Sequence, residues 1–414
     1  MRPGAVTLEP GQVRRLLVSP AIVSPGLEEL FDEAERARDD AGPAAVGLAL
    51  ELATLVARRV PRPGRGSTAL YLETLATLAA ADVTVARVVE PHLDAAMILA
   101  ECPEPVDLAA IGADAASTWG VFAAEGPGVR LTAAPDASGW VLDGTKPWCS
   151  LAGRLTHALV TAHVPAGGPA ATGRTAAEGG GRRLFAVDLR HVGVRVREDE
   201  WVARGFPTVP SGPTDFRGVP AVPVGATGWY LERAGFEWGG IGVAACWFGG
   251  AVGLARRVVQ AAVERGDDIA LLHAGRVALA VQSAASALAA AAAAVDAAGA
   301  DAAAMDGAAM DGAAIDPAAG DPADPAGGAG DAASEAALLA QVTRSIVRSA
   351  AEDVLREAAH GLGPAPLALD VDYAARVADL ELYLRQDHGT RDEARVGRLL
   401  TALAGPPTQK GSRP

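Results

Sequence analysis

The sequence contains few cysteines and no metal-binding pattern. Its three cysteines, Cys102, Cys149 and Cys246, are far apart, and no C-x-x-C pair or Cys/His cluster occurs among the 414 residues. This spacing argues against a disulfide framework and against a zinc site. We therefore predict no metal centre.

Positive charge is also scarce. The formal net charge is −14 at pH 7, with 36 basic against 50 acidic residues. Nucleic-acid binding needs a basic patch, so this balance argues against nucleic acid as a partner, whereas a few arginines suffice for a phosphate-bearing ligand. The N-terminus leads into no apolar segment typical of a signal peptide, and no apolar run is typical of a membrane span. We expect a cytoplasmic protein without a membrane partner.

Aromatic residues make up only 4 % of the chain, and much of its apolar content is alanine, which favours helices. The length indicates two or three domains. Helical spacing of apolar residues gives way at residue 119 to short alternating runs, and long Ala-rich helical patterns return near residue 230. The predicted class is α+β, with an N-terminal α-helical domain at 1–118, a middle β-barrel domain at 119–226, a C-terminal four-helix bundle at 227–405 and a tail at 406–414.

One low-complexity segment interrupts the C-terminal pattern. Between residues 297 and 333 the chain is mostly Ala, Gly, Asp and Pro, and aspartates recur every five residues from Asp296 to Asp321. This period fits neither a helix nor a strand. We predict a disordered, solvated loop between two bundle helices, with an acidic interaction tether as the alternative. The Gly-rich stretch 165–181 is predicted to be a surface loop.

The most informative motif lies at 139–150, where two strand-like runs meet at Asp143-Gly144. An Asp-Gly pair predicts a two-residue hairpin because both central turn positions need a positive φ. The second run carries Trp148 and, two residues later, Ser150. Alternate side chains of a strand point to the same face, so we expect Trp148 and Ser150 to share one surface.

The segment 139–150 resembles a hairpin in the middle β-domain of the acyl-CoA dehydrogenase family, and the α–β–α order is similar to that family over roughly residues 45–405. In the family this Trp packs beside the flavin and the hydroxyl hydrogen-bonds to it. The resemblance thus implies FAD bound against Trp148 and Ser150. It also implies that Gly361 and Gly363 approach the FAD of a neighbouring subunit in a homodimer or homotetramer. The alternative for both glycines is a helix C-cap.

The resemblance also suggests catalytic residues. Many members place a catalytic Glu eight residues after an Asp that Asp379 resembles, and Asp387 stands at this offset, followed by His388. Other members carry the base at the position of Val243, which has no carboxylate. Asp387 is therefore the candidate base and His388 its substitute, and a solvated loop is the alternative for both. The family's flavin-cradling motif is replaced by an unrelated sequence at 119–126.

Two further carboxylates, Glu90 and Asp94, stand four residues apart on a predicted helix and so share one face. We expect a solvated face, with pocket lining as the alternative.

Three functions follow from the resemblance. The first is FAD-dependent α,β-dehydrogenation of an acyl-CoA thioester, with an electron-transfer protein or oxygen as the acceptor. The second is a flavin-dependent monooxygenase or oxidase of the same fold acting on a related small molecule. The third is a non-catalytic subunit of a hetero-oligomer, which the missing flavin-cradling motif favours.

Overall fold

The structure, a computed structural model, describes residues 5–8, 13–18, 25–39, 43–137, 139–165, 181–311 and 325–404. It is a mixed helical and sheet protein with a C-terminal helical region, as predicted. The division into domains at 118/119 and 226/227 stays a prediction, although the first strand begins at Trp119 and the last strand ends at Val224.

The N-terminal region is helical in its described parts. Asp82 separates the helices Thr68–Ala81 and Val83–Glu101. The extended backbone at this residue (φ −154°) ends the first helix, and its carboxylate caps the second by accepting a hydrogen bond from Val85 N at 2.9 Å. The helices are α1 (Val13–Leu17), α2 (Pro25–Asp39), α3 (Pro43–Arg59), α4 (Thr68–Ala81) and α5 (Val83–Glu101).

The middle region is a sheet whose strands are β1 (Trp119–Phe122), β2 (Leu131–Asp136), β3 (Gly139–Lys146), β4 (His157–His163), β5 (Arg182–Asp188), β6 (Val194–Val196) and β7 (Thr214–Val224). Antiparallel pairing runs from β2 through β3, β7 and β5 to β4. Thr132 of β2 then lies opposite His163 of β4 in parallel register, so the path returns to its starting strand. β1 adds to β4, and β6 adds to β7.

The C-terminal region consists of long helices around α7. This helix packs against α4, α8 and α9, while α12 packs on α9. A large buried apolar cluster contains side chains of both the helices and the sheet, and a second, smaller cluster joins α5 to the sheet, so the sheet is anchored on the helices. The helices are α6 (Trp229–Glu232), α7 (Ala234–Arg265), α8 (Asp268–Asp311), α9 (Pro325–Leu362), α10 (Ala365–Leu369), α11 (Val371–Tyr383) and α12 (Thr390–Leu403).

The predicted hairpin turn at Asp143-Gly144 is wrong. Both residues lie inside β3, where the pairing with β7 shifts register between Leu142 and Gly144. Gly144 has φ +120°, and a Cβ there would lie 2.2 Å from the Arg130 carbonyl oxygen. The pair therefore forms a bulge that lets two strands approach closely, since glycine serves bulges as well as turns. The reversal occurs earlier, where Asp136 pairs with Gly139.

The predicted loop at 297–333 is also wrong at both ends. Helix α8 continues to Asp311, and α9 begins at Pro325. Asp296 accepts a 2.6 Å hydrogen bond from the Thr68 hydroxyl and bonds the Gly66 N–H at 3.0 Å. Alanine's helix propensity and this contact with the start of α4 outweigh the period of five. The rest of the prediction, at 312–324, lies outside the described residues, as does most of the Gly-rich stretch 165–181.

In the part of the chain that the structure describes, two helices have the length and mean hydropathy of a membrane span, 1.4 for α7 and 1.7 for α8. The apolar window of α7 is 72 % buried inside the protein, whereas that of α8 is only 39 % buried. Burial accounts for the hydropathy of α7, as in the core helix of a soluble protein. For α8 the outward face includes Ile269, Leu271, Leu272 and Leu279.

Candidate functional site

Trp148 lies in the loop that follows β3, and not in the strand as predicted. Its backbone is left-handed (φ +60°), as is that of Leu151 (φ +59°). The loop is held against a second loop by hydrogen bonds from Cys149 N to Gly212 O and from Leu151 N to Pro210 O. Trp148 is 60 % exposed and is the only aromatic among the exposed large apolar side chains in the described part of the chain. It therefore offers a bare indole ring to a ligand.

Ser150 lies beside it but faces inward. Its Oγ accepts a 2.8 Å hydrogen bond from Nη2 of Arg87 and lies 2.8 Å from Oγ of Ser211. Trp148 and Ser150 thus do not share the single surface that a strand would give them. The two hydroxyls and the guanidinium form a polar group where α5 meets the two loops of the sheet.

Arg87 joins this polar group to a buried carboxylate. Its Nη1 lies 3.7 Å from Glu90 Oε2, and the side chains are only 14 % and 9 % exposed. Burial raises the pKa of Glu90 to about 7, and nearby Arg87 opposes the shift. Burial also raises the pKa of Asp94 to about 6. The solvated face predicted for Glu90 and Asp94 is therefore wrong, because α5 turns this face toward α7.

A stack of rings and guanidinium groups continues from Arg87 into the bundle. Arg87 lies 5.6 Å from the centre of the Tyr383 ring, and Tyr383 meets Trp247 edge-on at 6.3 Å. Arg344 then covers the Trp247 ring at 4.7 Å. Side chains of α5, α7, α9 and α11 thus meet in one continuous arrangement that ends at Ser150. Cation–π contacts of this kind hold guanidinium groups in place inside a protein.

Asp387 is buried next to this stack. Helix α11 ends at Tyr383, a 3-10 turn covers Leu384–Gln386, and Asp387 follows. Its Oδ1 lies 3.1 Å from Nε of Arg348 and accepts a 2.8 Å hydrogen bond from Gly389 N. Burial raises the pKa of Asp387 above its ordinary value. The solvated-loop alternative is therefore wrong for Asp387.

His388 points the other way. Its side chain is 67 % exposed, and Nδ1 lies 3.8 Å from Asp392 Oδ2. His388 is a solvated loop residue, whereas Asp387 next to it lies in the interior. The structure thus separates the two residues that the sequence placed together.

Gly361 and Gly363 lie at the end of α9. Gly363 has φ +70°, and its N–H donates to Ala359 O at 3.2 Å. This is the C-cap geometry of the alternative interpretation. Gly361 lies against His273, whose Cγ would be 3.0 Å from an added Cβ. A contact of either glycine with the flavin of a second subunit stays a prediction.

Two other motif residues have structural positions. Lys146, which precedes the Trp148 loop, is 1 % exposed and donates to Glu125 at 2.7 Å and to Thr161 at 2.8 Å. Asp379, the reference point for Asp387, accepts hydrogen bonds from Phe206 N at 2.5 Å and from the Thr84 hydroxyl at 2.8 Å. It ties α11 to α5 and to the sheet.

Sequence reasoning missed four residues of the stack: Arg87, Tyr383, Trp247 and Arg344. They are separated along the chain and belong to no local motif. The one available signal was chemical, since an Arg on a predicted apolar helix face needs a partner. Among the described residues no group of three or more His, Cys, Asp or Glu is arranged to hold a metal ion.

Comparison with known proteins identifies the fold. No family model matches the chain, and no curated protein matches it. Among solved structures, the dibenzothiophene monooxygenase TdsC from Paenibacillus sp. A11-2 is similar, with a TM-score of 0.66 and 16 % identity over 93 % of this chain and 98 % of that one. XiaF from Streptomyces sp., solved with FADH2 and glycerol, has a TM-score of 0.65 and 16 % identity over 90 % of this chain and 92 % of that one.

KijD3 is a third similar structure, solved with FMN and dTDP-3-amino-2,3,6-trideoxy-4-keto-3-methyl-D-glucose. It gives a TM-score of 0.64 and 18 % identity over 96 % of this chain and 95 % of that one. These proteins are flavin-dependent enzymes of the acyl-CoA dehydrogenase-like fold. The chain has this fold. At such low identity, the likeness establishes the fold alone.

Proposed function

We propose that the chain is a flavin-dependent monooxygenase that acts on a small molecule. One observation carries the choice among the three functions: Asp387, the candidate base of a dehydrogenase, is held by Arg348 at 3.1 Å in a side-chain position with 0 % exposure. A similar structure agrees with this choice, since TdsC is a dibenzothiophene monooxygenase and has been solved with FMN and indole.

The residues around Trp148 fit a flavin. An exposed indole gains stability when a flat ring covers it, whereas the Ser150 and Ser211 hydroxyls bond each other, Arg87 and Val209 O on the inward side of the loop. Trp148 would hold the ring of the cofactor, and a contact of Ser150 with it stays a prediction. Bound in reduced form, the flavin would supply the two electrons with which one atom of O2 enters the substrate and the other leaves as water.

FAD is the cofactor that the sequence motif implies, and FMN is present in the TdsC and KijD3 structures. We propose FAD, with FMN as the competing form. In an FAD complex the adenylate half would extend away from Trp148, and Gly361 and Gly363 of a second subunit are the proposed contacts.

Dehydrogenation needs a carboxylate that reaches the α-proton of the thioester. Asp387 is engaged with Arg348 and the Gly389 N–H, His388 points to solvent, and position 243 holds Val. One oxygen of Asp387 is therefore committed to Arg348 and Gly389, its buried Oδ2 has no partner among the described residues, and the other groups that the family uses are exposed or missing. Oxygenation by a reduced flavin makes no demand for such a base.

Glu90 is the proton-handling group of the proposal. A buried carboxyl with a pKa of about 7 gives up or takes a proton near neutral pH, whereas an ordinary glutamate stays ionised. Arg87 connects it to Ser150. In the proposal Glu90 exchanges the proton that substrate oxidation releases, and Tyr383, which is 1 % exposed, keeps water out.

Acyl-CoA dehydrogenation is the second candidate, and one observation favours it. Burial raises the pKa of Asp387, which is the direction that a general base requires. The acceptor in that case is an electron-transfer protein or oxygen. The third candidate, a non-catalytic subunit, predicts no flavin binding.

We further propose that the protein is a cytoplasmic homodimer or homotetramer whose subunit interface includes α8. Leu279 and Ile269 on this helix are 74 % and 60 % exposed, which is costly for an apolar helix face in water. In Leu279→Asp we expect a smaller assembly by light scattering, because a charge would be buried at the interface. The control Leu369→Asp, at an 87 % exposed position on α10, should leave the assembly unchanged. A parent that is monomeric at micromolar concentration contradicts this proposal.

One experiment separates the three functions. The purified protein is loaded with FAD or FMN and tested for bleaching by short, long and aromatic acyl-CoAs without oxygen, then for substrate-dependent oxygen uptake with an NADH-driven flavin reductase. The proposal predicts no bleaching, and oxygen uptake that incorporates one 18O atom into an indole probe. Bleaching by an acyl-CoA overturns it in favour of dehydrogenation. A protein that binds neither flavin supports the non-catalytic subunit.

A further inference from the structure

Arg344 differs from the other buried arginines near the site. Its guanidinium covers the Trp247 ring at 4.7 Å, and Nη1 donates to Gly240 O at 2.7 Å. No carboxylate oxygen of the described residues forms an ion pair with it within 4.0 Å. Arg348, one turn further along α9, has three such partners: Glu352, Asp387 and Glu393. A partly buried guanidinium without an anionic partner is unusual.

The neighbouring side chains on the same face of α9 also have unused donors. Gln341 is 3 % exposed, and its Nε2 has no acceptor among the described residues, while its Oε1 faces Nη1 of Arg395 at 3.4 Å. The Ser345 hydroxyl is buried without a partner in the same part of the chain. Gln341 lies three positions before Arg344 and four before Ser345, so its side chain neighbours both on the surface of α9.

Trp247, whose ring is covered by Arg344, adds another donor. The Trp247 side chain is fully buried, and its Nε1 finds no acceptor among the residues that the structure describes. A buried indole N–H ordinarily has one. Gln341, Ser345 and Trp247 thus have buried donors without acceptors among the described residues, and Arg344 adds a guanidinium without a carboxylate partner. Leaving buried donors unsatisfied costs free energy, about 1–3 kcal/mol for each group.

Carboxylates lie at longer range from Arg344, and none of those described forms an ion pair with it. Glu90, Glu237, Asp387 and Asp392 all act electrostatically on Arg344 or feel its charge. Glu237 is paired with Arg395 at 2.9 Å, and Asp387 with Arg348 at 3.1 Å. The planar donor fork of a guanidinium matches a carboxylate or a phosphoryl group, which presents several acceptor oxygens at once.

We propose that Gln341, Arg344, Ser345 and Trp247 bind an anionic group of the substrate, a carboxylate or a phosphate. The inference rests on the proposed function and names its substrate class. From this anion site the ring stack leads through Tyr383 and Arg87 to Ser150. A substrate anchored by its anionic end on α9 would extend its oxidisable part toward Ser150 and Trp148.

The test uses three probes that share one ring system: 2-naphthoate, 2-naphthyl phosphate and the neutral 2-naphthamide. Binding to the full-length protein is measured by calorimetry. A charge-assisted hydrogen bond predicts that the parent binds an anionic probe at least about 10-fold more tightly than the amide. The carboxylate and phosphate arms identify which anion the site takes.

Variants locate the preference. Arg344→Gln should reduce it to less than about 3-fold, and Arg344→Lys, which keeps the charge without the fork, should retain part of it. Arg356→Gln is the matched control, since it removes an equal charge from the same helix at a side chain that is 56 % exposed. It should keep the full preference. Circular dichroism verifies that each variant is folded.

The inference is overturned if the parent binds no anionic probe, if it binds the amide equally well, or if Arg344→Gln keeps the preference. Because binding is measured without flavin, these results are independent of oxygen uptake. Oxygen uptake without anion preference removes only this inference. Anion preference that depends on Arg344, in a protein that neither binds flavin nor consumes oxygen, removes only the proposed function.

Discussion

Arg87 donates from Nη2 to Oγ of Ser150 over 2.8 Å, and through this bond α5 of the N-terminal region holds the loop that carries Trp148. The same guanidinium approaches Glu90 and covers Tyr383. A single side chain therefore links the exposed ring, the buried carboxyl and the ring stack. The position of the Trp148 loop depends on contacts from a distant part of the sequence.

Replacement of the exposed indole tests the cofactor site. In Trp148→Ala the flavin would lose a stacking partner, so we expect its dissociation constant to rise at least about 10-fold, which corresponds to about 1.4 kcal/mol. Fluorescence quenching on titration with FAD and with FMN measures this change. The melting temperature should stay within a few degrees, because a side chain that is 60 % exposed adds little to the core.

Leu369→Ala is the control for removal of an exposed apolar side chain, since Leu369 is 87 % exposed on α10. It should bind flavin like the parent. Equal flavin affinity in Trp148→Ala and in the parent would show that the ring does not contact the cofactor.

The pKa of Glu90 makes stability depend on pH. The carboxyl titrates near 7 in the folded protein and near 4.5 in the unfolded chain, so between these values the folded state binds more protons. The stabilisation is complete below about pH 4.5 and is lost as the pH rises through 7. Raising the pH from 5 to 8 should therefore lower the melting temperature of the parent more than that of Glu90→Gln.

Burial also raises the pKa values of Asp94 and Asp379 to about 6, with the same sign; Asp379 cancels in the difference, whereas Asp94 interacts with Glu90 and its contribution belongs to the difference. The Glu90 contribution is on the order of 3 kcal/mol. Identical pH profiles of the parent and Glu90→Gln would mean that Glu90 titrates normally.

Gly144 tests the bulge that replaced the predicted hairpin. Its φ of +120° and the 2.2 Å approach of the Arg130 oxygen leave no room for a Cβ. Gly144→Ala should lower the free energy of unfolding by more than about 2 kcal/mol, measured by urea denaturation. Gly139→Ala is the matched control in the same strand, with φ +136° and no atom within 4 Å of an added Cβ. It should cost clearly less, and equal losses would mean that the close approach is unimportant.

Much of the fold was predictable because it follows from local patterns. Helical spacing before residue 119 and alternation after it reflect which faces are buried, and the first strand begins at Trp119 as the pattern indicates. The errors occurred where a tertiary contact decides. Gly144 reads as a turn in the sequence, yet the strand pairing uses it as a bulge, and the segment after Asp296 reads as a loop, yet α8 continues to Asp311.

The candidate site was predictable only in part. Trp148, Ser150 and Asp387 came from a resemblance, since each stands in a recognisable local motif. Arg87, Trp247 and Arg344 belong to three separate helices, and only the packing of these helices brings their side chains together. Glu90 was assigned to solvent for the same reason, because helix periodicity gives the direction of a face but not what covers it.

Asp387 separates the two enzymatic proposals. In Asp387→Asn the charge that faces Arg348 is removed while the shape is kept. If Asp387 only holds Arg348, oxygen uptake should fall less than about 10-fold, and the melting temperature should fall because a partly buried guanidinium loses the most buried of its three carboxylate partners. If Asp387 is a general base, reduction of the flavin by an acyl-CoA should slow by at least about 100-fold.

Glu352→Gln supplies the comparison for Asp387→Asn. Glu352 lies 2.7 Å from Nη1 of the same Arg348, but it is 35 % exposed and lies on α9 itself. Its loss should lower the melting temperature less, since exposed ion pairs contribute little. Both variants should retain flavin and oxygen uptake under the monooxygenase proposal. An oxygen-uptake loss of 100-fold or more in Asp387→Asn alone, with flavin still bound, would place Asp387 at the reacting atoms and contradict the structural role that its contact with Arg348 indicates.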